Sequence, residues 1–268
     1  MMELSAKTNP QGSAGSVART TIGPFHNKTS AIAPIRSYSY KKSRPHRKTM
    51  ARQYAIHPQN PQQRDIDQIC RELRQGALML YPTDTVPAIG CDLTAPQSIK
   101  RLRQIKRLSN DKPLTFLCSS LSNIADYAIV SDAAYRLMRR VLPGPYTFIL
   151  PATKLVPRLV MDPKRKHTGI RVPDSPICQA LLETLGNPII STSANIPDQG
   201  EAPPWDEMDP KICETAADLY DRFAHLVDLT IDDDRQPGHV VSTIVDLTGP
   251  EPQLIRKGAG WELLEEWL

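Results

Sequence analysis

The chain has 268 residues, 40% of them hydrophobic and 23% charged, with a formal net charge of +4 at pH 7. That is enough apolar material for one large domain or two small ones. No apolar run approaches the roughly 20 residues that a bilayer-spanning helix needs, so no membrane association is expected. The five cysteines (Cys70, Cys91, Cys118, Cys178 and Cys213) are scattered with no CxxC pair, and the six histidines form no HxxxH. This pattern argues for reduced thiols in a reducing compartment and against a structural zinc.

The charge is unevenly spread. Residues 1–52 hold ten Lys/Arg and one acid, Glu3, whereas the remainder holds 23 basic and 28 acidic residues, a net of −5. The first segment is also rich in Ser, Thr, Pro and Gly, without apolar periodicity. It reads as a disordered basic extension over 1–52, followed by a folded domain over 53–268. A transit peptide, a basic arm for nucleic acid, and a true start at Met50 are three readings of that extension. The start at Met50 is favoured, since the globular pattern begins just after it. The expected location is the cytoplasm, or an organelle if residues 1–49 are a transit peptide.

From residue 60 the chain alternates helices and strands. Pro61, the inward set Ile66, Ile69, Cys70 and Leu73, and Gly76 as a stop predict a first helix, followed by a buried strand over Ala77–Tyr81. Thr94-Ala-Pro96 opens a second helix with Ile99, Leu102 and Ile105 inward, ending near Lys106 and Arg107. A strand over Leu114–Cys118, a helix from Asp132 to Leu142 stopped by Pro143-Gly-Pro145, and strands over Tyr146–Leu150 and Gly169–Val172 follow. Ser175, Pro176 and Gly186 bracket a well-marked helix with Ile177, Ala180, Leu181 and Leu185 inward. The rest reads as a strand end at Pro188-Ile-Ile190, a helix around Ile212–Phe223, and strands near Leu226–Ile231, Thr243–Leu247 and Gln253–Arg256. Without strict repetition of one βα unit, this predicts an α/β or α+β domain on a mixed sheet rather than a barrel.

Polar groups gather at the ends of these strands. Ser191, Thr192, Ser193 and Asn195 follow an apolar run, where short hydroxyls and an amide can bind a phosphate or carboxylate. Taken alone, Tyr81-Pro-Thr-Asp-Thr85 reads first as an ordinary turn and Lys106-Arg-Leu-Ser-Asn-Asp-Lys-Pro-Leu114 as a solvated loop. Arg171, inside the apolar strand Gly169-Ile-Arg-Val-Pro173, is more telling, because a buried guanidinium calls for an anion. GxxxxGK[ST], GxGxxG and GxSxG are all missing, which argues against P-loop, Rossmann and Ser-hydrolase sites. Asp232-Asp-Asp234 beside Arg235 reads as a charged turn rather than a metal site.

Taken in order, Tyr81-Pro-Thr-Asp-Thr85, Lys106 with Pro113-Leu114, Pro143-Gly-Pro-Tyr-Thr147, Gly169-Ile-Arg-Val-Pro173, Ser191-Thr-Ser-Ala-Asn195, Ser242-Thr-Ile-Val-Asp246 and Leu254-Ile-Arg256 resemble the YrdC/YciO family. The resemblance covers roughly residues 55–260. It implies a twisted mixed α/β sheet with flanking helices, a YrdC/RibB-like fold, around a positively charged concave cavity. It implies a nucleotidyltransferase: a threonylcarbamoyl-AMP synthase that uses ATP, L-threonine and bicarbonate in forming N6-threonylcarbamoyladenosine in tRNA. Mg²⁺ would accompany ATP, with no protein-built metal site. Carried over residue by residue, the substrate-binding set is Thr85, Lys106, Arg171, Ser191, Ser193, Asn195, Ser242 and Arg256. No side chain serves as a nucleophile, because such chemistry needs positioning and charge neutralisation.

One departure places the chain closer to the YciO-like branch. Family synthases carry Lys-x-Arg before the Pro-Leu strand, whereas this chain reads Lys106-Arg107-Leu108. If Leu108 faces the nucleotide, Leu108→Arg should raise the rate; if it is a core residue, Lys112 is the nearest replacement cation. Two other readings stay open: a module that binds double-stranded RNA or tRNA, and an adenylate-hydrolysing YciO-like paralogue without robust synthase activity.

Removing residues 1–49 is expected to leave the thermal midpoint nearly unchanged, because the segment has no face with which to cover a core. Thermal melts of the full and shortened chains test this, and a midpoint lowered by many degrees would show that the segment packs on the domain.

Overall fold

In the computed structural model, which describes residues 50–109, 112–194 and 215–267, the helical and strand periodicities of the sequence meet on one sheet. The elements in chain order are β1 (Arg52–Ala55), α1 (Gln63–Arg74), β2 (Met79–Tyr81), β3 (Ala88–Asp92), α2 (Pro96–Ile105), β4 (Thr115–Leu117), α3 (Leu121–Tyr127), α4 (Asp132–Val141) and β5 (Tyr146–Pro151). There follow β6 (His167–Arg171), α5 (Pro176–Leu185), β7 (Ile189–Ser193), α6 (Ala216–Phe223), β8 (Leu229–Asp232), β9 (Thr243–Asp246), β10 (Gln253–Arg256) and α7 (Trp261–Leu264). The strand order is β1-β8-β2-β3-β7-β4-β6-β5-β9-β10. The β1/β8, β8/β2, β4/β6 and β5/β9 pairs are parallel and the others antiparallel, so the sheet is mixed as the irregular alternation predicts.

Successive side chains on a strand face opposite ways, and here they divide the core in two. Leu78, Leu80, Phe116 and Ile190 join one buried cluster with residues of α2, α3, α4, α6 and α7. Met79, Tyr81, Leu117 and Ile189 join a second cluster with α1 and α5. The strongest sequence signals are realised locally. Ile66, Ile69, Cys70 and Leu73 are the buried face of α1, and Gly76 takes φ +96° just beyond it. On α5 the Ser175 side chain accepts from the Cys178 N–H, and Gly186 ends the helix at φ +77°.

Several elements depart from expectation. β3 lies between two turns that read as one connection, and all five of its residues are buried, so no alternation marks it. α3 is only seven residues long, capped by Ser120 accepting from the Asn123 N–H. β1 is a polar strand that pairs with β8, and Ala51 just before it is buried and donates to the Ala224 carbonyl at 2.8 Å. The strand expected near Leu226–Ile231 forms at Leu229–Asp232. Of the helix expected around Ile212–Phe223, the described part is α6, and residues 212–214 lie outside the described residues.

Gly238 illustrates how tightly the connections meet. A Cβ there would overlap the Thr85 carbonyl oxygen, which belongs to the backbone and cannot simply rotate away. Gly238→Ala should therefore lower unfolding free energy by about 1–3 kcal/mol, as overpacking does. Gly249→Ala, whose Cβ would meet its nearest atom at 3.8 Å, should stay within about 0.5 kcal/mol of the parent. Chemical denaturation of the two variants checks the contrast.

Candidate functional site

β7 is where the apolar face of the sheet turns polar. Ile189 lies in the cluster beneath α1 and α5, and the same face continues two and four residues on as Ser191 and Ser193. These hydroxyls stand on the strand itself, paired across to Gly90 and Ala88 of β3, and Ser191 also to Thr115 of β4. This corrects the expectation that they lie where the strand leaves the core. Tyr81 marks the boundary, donating its hydroxyl to Ser191 Oγ at 2.7 Å, with both side chains buried. Gly90 makes room for that ring: a Cβ there would fall 2.9 Å from Tyr81 Cε1.

Beyond this boundary opens a concave cavity that reaches solvent. Its lining includes Thr85, Lys106, Arg171, Ser191, Ser193, Ser242 and Arg256, residues brought from widely separated parts of the chain. Seven of the eight sequence-expected residues thus share one cavity. The eighth, Asn195, lies outside the described residues.

The cations are held by acceptors. Lys106 caps α2 and is 3% exposed, and its Nζ donates to the Ser193 carbonyl at 2.9 Å. Burial, helped by nearby Lys112, pushes its pKa down to about 7. Arg171 ends β6 and is 7% exposed. One nitrogen donates to Thr85 Oγ1 at 2.7 Å and another pairs with Asp84 at 2.5 Å. Its Nε is buried with no hydrogen-bond partner among the described residues, a donor that a ligand or water would satisfy. Arg256 donates to the Ser242 carbonyl at 2.8 Å and to Ser242 Oγ at 3.2 Å. Burial, then the proximity of Arg171, pushes its pKa down to about 10.

The cavity also takes in residues of these motifs outside the expected substrate-binding set. Thr147 on β5 shares a hydrogen bond with Ser242 Oγ at 2.9 Å, and both line the cavity. The Tyr-Thr end of the Pro143–Thr147 motif was the available signal. Leu108 and Lys112 also line it, and Leu108 at the same time packs on the larger core cluster. The two alternatives for Leu108, facing the cavity or serving the core, therefore both hold in part.

Among the described residues that line the cavity there is no cysteine, aspartate or glutamate. Burial pushes the thiol of Cys70 up to about 11 and that of Cys178 up to about 12, and raises Cys91 and Cys118 further. Among the described residues no group of three or more His, Cys, Asp or Glu is placed to hold a metal ion. In the Asp232–Asp234 turn, Asp233 pairs with Arg235 at 2.6 Å, as a charged turn would. No helix among the described residues is long and apolar enough to cross a membrane.

With this geometry in view, comparison with known proteins is informative. The profile of the Sua5/YciO/YrdC family, described as "Telomere recombination", matches residues 71–258. The chain is 40% identical over 211 residues to Escherichia coli (strain K12) "Uncharacterized protein YciO", covering 79% of this chain and 97% of the relative. The crystal structure of that E. coli protein superposes with a TM-score of 0.69. A Vibrio vulnificus (strain YJ016) threonylcarbamoyl-AMP synthase is 29% identical over 197 residues, covering 72% of this chain and 98% of the relative. The structure of P. abyssi Sua5 complexed with L-threonine is 25% identical, with a TM-score of 0.67 over 81% of this chain and 60% of that one. The ordered motifs, the mixed sheet and these matches agree: the chain belongs to the Sua5/YciO/YrdC family.

Proposed function

We propose that this chain forms threonylcarbamoyl-AMP from ATP, L-threonine and bicarbonate, supplying the threonylcarbamoyl group for tRNA adenosine modification. The observation that carries the reading is the meeting of Lys106, Arg171 and Arg256 with the hydroxyls of Thr85, Ser191, Ser193 and Ser242 in one open cavity. The names of the Vibrio synthase and of the threonine-bound P. abyssi Sua5 support it. Asn195 joins the proposed set from its place in the Ser191–Asn195 motif.

The chemistry asks little of the protein in the way of covalent steps. Bicarbonate takes up a proton and loses water to give carbon dioxide, to which the threonine amine adds with loss of a proton, giving a carbamate. A carbamate oxygen then attacks the α-phosphorus of ATP, the bond to the β-phosphate oxygen breaks, and pyrophosphate leaves. Lys106, Arg171 and Arg256 neutralise charge on the phosphates, and the serine and threonine hydroxyls orient the carboxylate and carbamate. In this reading Mg²⁺ arrives with ATP as part of the substrate complex.

The decisive experiment is turnover with ATP, bicarbonate and single amino acids. Pyrophosphate release that requires both threonine and bicarbonate, with threonylcarbamoyl-AMP found by mass spectrometry, is the expected result. RNA binding with a steep salt dependence and no threonine-dependent turnover would instead favour the RNA-binding reading.

Lys106 gives the reaction a pH signature. In the free protein its charge is lost as pH rises through about 7, well below the ordinary 10.5. A bound phosphate favours the charged form, so between these values ATP binding should draw a proton from solution. Calorimetry at about pH 8 in buffers of different ionisation enthalpy should show uptake approaching one proton, fading toward about pH 6. Lys106→Met should abolish the uptake, and uptake that persists in that variant would assign it elsewhere.

A further inference from the structure

The turn after α2 is built around one buried side chain that is no part of the cavity. Arg103, in the last turn of α2, is only 5% exposed. Arg107 adopts φ +51°, reversing the chain beyond the helix cap, and the Leu108 N–H donates back to the Arg103 carbonyl at 2.9 Å. The guanidinium then reaches the far side of the turn. Its Nη1 donates to the Lys112 carbonyl at 2.8 Å and to the Leu159 carbonyl at 3.2 Å, and its Nη2 donates to the Ser109 carbonyl. Immediately downstream the Leu114 N–H donates to the Val160 carbonyl at 2.8 Å. The backbone on both sides of Lys112 is thus pinned, and its side chain lies on the cavity wall beside Lys106.

We propose that Lys112 is a second phosphate-binding cation of this cavity, paired with Lys106, and that Arg103 is the positioning residue that holds it there. The ligand class is an anionic polyphosphate, such as the tail of a nucleoside triphosphate or pyrophosphate. This rests on the functional reading above for its place in catalysis, but not for its binding chemistry. Two like charges sharing a cavity wall repel, and a bridging dianion converts that repulsion into attraction. A fork bound to three carbonyls is what a lysine at position 103 could not reproduce, because an ammonium is a point donor without the planar reach of guanidinium. Leu108 lines the cavity and packs on the core but carries no charge, which leaves the anion to the lysines.

The test is calorimetric titration of the full chain with inorganic pyrophosphate and with ATP at low ionic strength, alongside thermal midpoints and near-ultraviolet dichroism. Lys112→Ala should weaken both ligands by roughly ten- to a hundredfold and flatten the salt dependence of binding, with the fold intact. Lys112→Arg should recover most of the loss. Arg103→Lys should weaken pyrophosphate in the same direction, and Lys164→Ala, on the exposed turn before β6, should bind within about twofold of the parent.

The proposal is overturned if Lys112→Ala binds pyrophosphate within about twofold of the parent, if Lys164→Ala loses as much, or if the parent binds no pyrophosphate. Should the parent bind pyrophosphate through Lys112 yet show no threonine-dependent turnover, the synthase reading fails and this one stands.

Discussion

A buried guanidinium at the end of β6 constrains the middle of the molecule. Arg171 cannot shed its charge, so its surroundings must supply acceptors. They come from the β2–β3 connection, where Asp84 and Thr85 bind it and Asp84 also accepts from the Asp174 N–H at 3.1 Å. That single cluster fixes how the connection lies against the end of β6 and the turn into α5. It also places Thr85 on the cavity wall, where the close approach of Gly238 backs it from behind. A fully exposed pair of this type would contribute little. Here the guanidinium is nearly enclosed, and removing Asp84 or Thr85 would strand it.

The same economy of structure explains why the cavity occurs on one face of the sheet. Apolar residues at alternate positions of β2, β4, β7 and β8 demand cover, and α1 and α5 supply it. Where β7 changes from isoleucine to serine, its side chains line the cavity instead. The Tyr81–Ser191 hydrogen bond closes the seam by satisfying a phenol that burial would otherwise penalise. The opposite face stays continuously apolar through Ile190, Phe116 and Phe148, so the sheet under the cavity is backed by a packed layer. A site placed on such a support keeps its donors in register without needing each to be braced separately.

Electrostatically the cavity is a place where positive charge is crowded and partly dehydrated. The lowered values at Lys106 and Arg256 share burial as their first cause and a neighbouring cation as their second. This arrangement is unfavourable when empty of anions and favourable when one binds, a property suited to ligands with several negative charges. The domain as a whole, by contrast, carries more acids than bases after residue 52. The attraction is therefore a local feature of the cavity and not a field spread over the surface.

The sequence by itself determined the parts whose signals are local. The inward face and stop of α1, the cap and stop of α5, the alternation of helix and strand, and the identity of the polar segments all rest on residues near one another in the chain, although α1 starts at Gln63 with no side-chain cap and not at Pro61. The family motifs, read in order, named seven residues that the fold brings to one cavity, with Asn195 outside the described residues. β3 and α3 were not legible, since a uniformly buried strand shows no alternation and a two-turn helix has little periodicity. Only the tertiary structure decided that Ser191 and Ser193 stand within a central strand, because strand pairing is set by partners about a hundred residues away. Only it decided that Leu108 serves core and cavity at once, and that Arg103 reaches the carbonyls around Lys112. Those outcomes depend on which surfaces exclude water together, a property of the packed chain that no short window of sequence contains.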